Sequence, residues 1–132
     1  MNSEAPELLT PYARSLGIAL GGWEDGTPVM TVAFADAVEG RPGHYHGGAT
    51  GGLLETAGYA ALRSRLAAEG RGAMLKPINI TVQYLHAGKA GPCHARGRIT
   101  KLGRRSANIV VEAWQDDPAR PIATAVMNVL MG

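Results

Sequence analysis

A chain of 132 residues with a formal net charge of +2, 45% hydrophobic and 18% charged residues, has the size and composition of one packed domain, read here as 1–132. That composition excludes a disordered chain, and the small net charge with few aromatic residues gives no basis for a nucleic-acid partner. No apolar run approaches the roughly 18 residues of a membrane span, Met1–Glu7 is polar and acidic, and the single cysteine, Cys93, suits a reducing compartment; a cytoplasmic protein without a membrane partner is expected.

In chain order, Glu7 to Gly17 is predicted as a short helix, with Pro11 where a first turn tolerates it. Ser15 to Leu20 and Pro28 to Phe34 flank Asp25-Gly26 and read as a hairpin. Ala35 to Tyr45, with Gly40, Pro42 and Gly43, reads as a loop. From Gly47 to Glu69 the pattern is helical, apolar or small nearly all round its first half, and it closes at Gly70; such a helix is expected to be buried. The rest is β. Ile78, Ile80, Val82 and Tyr84 alternate with Asn79, Thr81 and Gln83, which predicts a half-buried strand. Strands follow over Cys93 to Thr100, Ser106 to Trp114 and Pro121 to Met131, the last apolar on both faces, with turns at Leu102-Gly103-Arg104 and Asp116-Asp117-Pro118. The order β-β-α-β-β-β-β predicts an α+β domain, one long helix against a six-strand antiparallel meander.

The segment His44 to Ala57 is the most informative. It packs two histidines and four glycines into nine residues, His44 to Gly52, and runs into a helix that carries one acid, Glu55. Glycine costs about 1 kcal/mol against alanine inside a helix, so four at a helix start want a reason, and close approach of another group to bare backbone is one. A helix N-terminus offers unpaired N–H groups and the positive end of the dipole, which suits a developing oxyanion. Glu55 lies eight residues after Gly47 and four after Gly51, on one helix face. The alternative is a paired structural acid and glycines that only permit packing. Lys101, Arg104 and Arg105 cluster around Gly103, as a solvated turn or as a clamp for a polyanionic small molecule. His44, His86 and His94 show no metal spacing with Cys93 or any acid, and Cys93 has no basic neighbour in sequence that would make it a nucleophile. Trp23, Trp114 and the methionines are expected in the core or at a subunit contact.

That order, with His46-Gly47-Gly48 opening the helix and Glu55 nine positions after the histidine, resembles the hotdog fold and, within it, the phenylacetate-type (PaaI-like) acyl-CoA thioesterases. The similarity runs from about Pro28 to the end and includes Tyr84-Leu85 before the turn His86-Ala87-Gly88, and Lys101 to Arg105. It implies hydrolysis of a small-to-medium or aromatic acyl-CoA to free acid and CoA, without metal or redox cofactor. Glu55 would be nucleophile or general base, the Gly47 N–H would polarise the thioester carbonyl, and His46 would orient the loop. Gly48, Tyr59, Leu85 and His86 would line the substrate, and Lys101, Gly103, Arg104 and Arg105 would meet the phosphates of coenzyme A. The family's dimers, often paired into tetramers, place their sites between subunits, which implies a homodimer or homotetramer here. Two positions depart from the pattern: Gly40 stands where many relatives carry a loop amide side chain, and Pro77 where a Ser or Thr often opens the third strand. A non-catalytic acyl-CoA-binding module and a hydratase or dehydratase are the alternatives.

Overall fold

The computed structural model describes residues 7–132; of the polar opening read over Met1–Glu7, the residues up to Pro6 lie outside the described ones. Thr10 caps the first helix, α1 (Pro11–Ser15), by accepting the Ala13 N–H at 3.1 Å, with Pro11 in its first turn. β1 (Ile18–Glu24) and β2 (Thr27–Val32) form the expected hairpin. Asp25 and Gly26 take φ of 52° and 77°, the two positive values a type I′ turn requires. β1 runs four residues beyond its predicted end, because the glycines that break its apolar pattern are absorbed by a bulge between Leu20 and Gly22. The long helix, α2 (Gly47–Ala68), stops where its sequence says, at the Glu69 cap with Gly70 at φ 68°. Four strands follow: β3 (Leu75–Tyr84), β4 (Cys93–Leu102), β5 (Ser106–Trp114) and β6 (Ala123–Met131).

The strands make one antiparallel sheet in the order β1-β2-β4-β5-β6-β3. This is the α+β hotdog fold, a long helix wrapped by a six-strand antiparallel sheet, but it corrects the meander. After α2 the chain pairs at the far edge, Leu75 opposite Met131 through Tyr84 opposite Ala123, and only then returns to set β4 beside β2. The choice of neighbour is a long-range decision, made by which edge the helix exit reaches, and alternation within a strand carries no record of it.

Two burial expectations change with that placement. α2 packs on β4, β2 and β5 and barely reaches β3. Edge strand β3 is therefore not half-buried: Ile78, Ile80 and Tyr84 are 54%, 36% and 56% exposed, and only Leu75 and Val82 are partly covered. β6 buries Ala123, Ala125, Met127, Val129 and Met131 under the helix. Its outer row is Thr124, Val126, Asn128 and Leu130, only half apolar, with Asn128 bonded to both Asn79 and Asn108. Trp114 is buried as expected, whereas Trp23 and Met74 are exposed.

The core centres on Leu53, Leu54 and Leu62 of α2 against Met30, Ile109, Met127 and Val129 of the sheet. What brings helix and sheet this close is a glycine pair. A methyl on Gly97 of β4 would lie 3.1 Å from the Ala57 carbonyl oxygen and from the Gly58 Cα. A methyl on Gly58 would overlap the Met127 sulfur and touch Val111. The backbones of α2 and β4 approach there with only the Ala61 methyl, also 3.1 Å from the added carbon on Gly97, beside them.

Candidate active site

The loop before α2 is tied down before the helix begins. The Tyr45 N–H donates to the Gly88 carbonyl at 2.9 Å, its hydroxyl donates to the Gly91 carbonyl at 2.6 Å, and the His46 N–H donates to the Val38 carbonyl at 2.7 Å. Burial pushes the Tyr45 phenol up to about 12, so it remains a donor. His46 is the N-cap of α2. Its ring Nδ1 accepts the Gly48 N–H at 2.9 Å, which leaves the ring proton on Nε2 and makes the imidazole a cap. The Ala49 and Thr50 N–H groups donate to the His46 carbonyl at 3.0 and 3.1 Å. Of the first four amides of the helix, only that of Gly47 has no protein acceptor among the described residues. The N–H of Gly48, which is expected to line the substrate, is thus used within the chain.

The free Gly47 amide opens onto a cleft of about 240 Å³ lined by Tyr45, Thr50, Tyr84, Leu85 and His86. Leu85 and His86 are exposed at its rim. Tyr84 was not among the expected site residues. Its hydroxyl donates to the Gly47 carbonyl at 2.8 Å, and a methyl on Gly47 would stand 3.6 Å from its ring. The signal was available: an aromatic at the end of an alternating strand, immediately before the His86 to Gly88 turn.

Glu55 is partly buried on an otherwise covered stretch of α2 and lines a second cavity, of about 310 Å³, with Leu8, Tyr12, Tyr59 and Arg63. Among the described residues it makes neither an ion pair nor a hydrogen bond, so the paired structural acid is not what the chain builds. Tyr59, one turn on, has its phenol raised first by burial and then by the Glu55 charge, with Arg63 opposing. The Arg63 guanidinium carbon sits 5.3 Å from the centre of the Tyr59 ring. The sequence reads Arg63 only as part of the wetter last turns of the helix, although 55, 59 and 63 are spaced by four and so form one stripe.

Gly47 and Glu55 share a side of the helix but not a site. Eight residues of α-helix separate them by about 12 Å along the axis, and they line different cavities. His46 is farther still from Glu55, so the proton-transfer pair of a hydratase is not assembled within the chain. The basic turn is the most remote. The Gly103 carbonyl accepts from Arg71 at 3.1 Å, beyond the C-terminal end of a helix about 33 Å long. Lys101, Arg104 and Arg105 are exposed there, and within one chain they do not join the Gly47 cleft. Gly40 packs on the cap: a methyl on it would fall 2.9 Å from the His46 Cα, so no amide side chain fits on this loop path. Cys93 is buried and its thiol pushed up to about 11, which removes it as a nucleophile.

No significant match is found among curated protein sequences. The fold is shared with many solved structures. A phenylacetic acid degradation-related protein from Ralstonia eutropha JMP134 is 25% identical over 96% of this chain and 92% of its own, with a TM-score of 0.75. A thioesterase from Haemophilus influenzae is 20% identical, covering 92% of this chain and 82% of its own, with a TM-score of 0.79. A conserved protein from Pseudomonas aeruginosa is 20% identical over 95% and 96% of the two chains, also at 0.79. The thioesterase superfamily profile matches residues 42–122, more than half of the chain and all of it from the helix-opening loop to the start of β6. With the capped glycine opening and the unpaired acid inside that span, the chain belongs to the thioesterase superfamily and is a hotdog-fold thioester hydrolase.

Proposed function

We propose that the protein hydrolyses small-to-medium or aromatic acyl-CoA thioesters to the free acid and CoA at a site shared by two copies of the chain. The observation that carries this reading is Glu55, a partly buried carboxylate at a cavity wall with no partner among the described residues. A carboxylate so placed is available to chemistry. It removes a proton from water as the oxygen attacks the carbonyl carbon, or it attacks that carbon itself and water then cleaves the mixed anhydride. In either route the C–S bond breaks, and the thiolate leaves and takes up a proton as CoA–SH. The negative charge that develops on the carbonyl oxygen is met by the Gly47 N–H, already oriented by the cap.

One thioester carbonyl has to lie about 3 Å from both groups, and about 12 Å of helix separates them within a chain. The Gly47 of one copy therefore works with the Glu55 of another. Edge strand β3, which exposes Ile78 and Ile80 and ends with Tyr84 at the Gly47 cleft, is the surface that such a contact covers. Lys101, Arg104 and Arg105 are assigned to the CoA phosphates as part of a neighbouring copy. The test is complementation. Glu55→Gln and Gly47→Val, each inactive alone in thiol release from an acyl-CoA panel, are mixed and allowed to exchange subunits. Recovered turnover is expected, since one site of the mixed pair then holds both intact groups. Two inactive proteins that stay inactive after verified exchange would reject the shared site.

A further inference from the structure

The Glu55 cavity holds a second charge that the hydrolysis itself does not use. Arg63 lines the same wall two turns along, partly buried, and has no carboxylate within ion-pairing distance among the described residues. The next arginine on the helix, Arg65, is paired with Glu69 at 2.8 Å. Helical side chains lean toward the N-terminus, so Arg63 reaches back over Tyr59 in the direction of Glu55, and its guanidinium is held against that ring. The cavity thus has an acid at one end, a guanidinium at the other, and Leu8, Tyr12 and Tyr59 as walls between them.

Resting on the reading of Glu55 as the hydrolytic acid, we infer that Arg63 recognises a carboxylate at the far end of a short acyl group, so that the preferred substrates are CoA thioesters of dicarboxylic acids. A thioester carbonyl at Glu55 leaves less than the roughly 12 Å of helix rise between residues 55 and 63 for the rest of the acyl chain. The other anion of the substrate, the CoA phosphate, stands at the end of a pantetheine arm as long as about four extended residues, roughly 14 Å, too long for that interval. An anionic acyl group entering beside the Glu55 carboxylate also needs a compensating cation, and a planar guanidinium already fixed by a ring binds a carboxylate through two parallel hydrogen bonds.

The experiment compares glutaryl-CoA with pentanoyl-CoA, which share a five-carbon chain and differ in the terminal carboxylate. The parent is expected to favour glutaryl-CoA by at least about tenfold in kcat/KM, Arg63→Gln to lower that ratio at least about tenfold, and Arg63→Lys to keep part of it. A parent ratio at or below one overturns the inference. So does an Arg63→Gln variant that slows both substrates equally, since a packing role moves both. If that equal loss vanishes with phosphate-free N-acetylcysteamine thioesters, the guanidinium reads the CoA phosphates and the acyl assignment is rejected. Calorimetric binding of the two CoA esters to Glu55→Gln, with and without Arg63→Gln, separates this inference from the hydrolytic one. A parent that cleaves no thioester removes the hydrolysis, while tighter binding of glutaryl-CoA that depends on Arg63 still upholds the recognition, and its absence refutes it.

Discussion

At its start α2 presents Gly47 to a cleft; half-way along it presents another glycine, Gly58, to a wall. A methyl on Gly47 meets nothing nearer than the Tyr84 ring at 3.6 Å, an ordinary contact. A methyl on Gly97, across from Gly58, meets carbonyl oxygen and backbone carbon at 3.1 Å. The same residue type thus serves two ends: at the opening it keeps a backbone amide reachable from outside, and at the seam it lets helix and sheet approach closely. Substitution at the opening should register in turnover, and substitution at the seam in stability.

Glu55 lies between the two regions and gives the largest expected effect. Glu55→Ala should lower kcat at least about 100-fold, the lower bound for a positioned acid or base, while the melting temperature stays close to the parent's. Turnover within a few-fold of the parent in a well-folded variant would break the assignment. Next in size is Gly97→Ala. Overpacking against backbone that cannot give way costs about 1–3 kcal/mol and should appear as a clear drop in melting temperature by calorimetry. An unchanged melting temperature there would mean the seam has slack. Gly47→Ala should show the reverse: a melting temperature kept or raised, and kcat lowered about tenfold, or about 1.4 kcal/mol of transition-state stabilisation. If Gly47→Ala folds and turns over normally, the two regions differ only in packing.

The smallest effect concerns the strand that carries the seam. Cys93 opens β4, the strand that carries Gly97, and burial pushes its thiol from 9.0 up to about 11. The native chain therefore keeps a proton that the unfolded chain sheds near 9, so this contribution to stability is intact below pH 9 and is lost as pH rises through 11. Near pH 10 the loss is about 1 kcal/mol. Cys93→Ala should flatten the fall of melting temperature between pH 9 and 11; parallel pH profiles for parent and variant would contradict this.

Legibility in the sequence followed the range of the physics. Local rules gave the Asp25-Gly26 turn, the end of α2 at Gly70 and the span of β5, because a positive-φ pair, a C-terminal glycine and a period of two are written in adjacent residues. Position in the sheet is not written there. Ile78 and Ile80 alternate as a half-buried strand would, yet they lie at an edge that the helix does not cover. In the site, His46, Gly47 and Glu55 were legible as a motif, and Gly47, Gly51 and Glu55 were read onto one helix face. The axial rise was left out, and about 12 Å decides which groups can share a carbonyl. Gly97 was hidden for a simpler reason: it acts on a partner 39 residues away, Gly58.

The peptide unit joining Gly47 to Gly48 is gripped at both ends, its oxygen by the Tyr84 hydroxyl at 2.8 Å and its N–H by the His46 ring at 2.9 Å. Ahead of it, the His46 carbonyl holds the Ala49 and Thr50 amides. The one amide left over, that of Gly47, shares its peptide plane with this held carbonyl and precedes the gripped Gly47–Gly48 unit, so its direction is set when the chain folds. In hydrogen exchange this makes Gly47 an isolated fast-exchanging position with slower neighbours at 48, 49 and 50. A substrate carbonyl that docks there should erase the contrast without moving anything else.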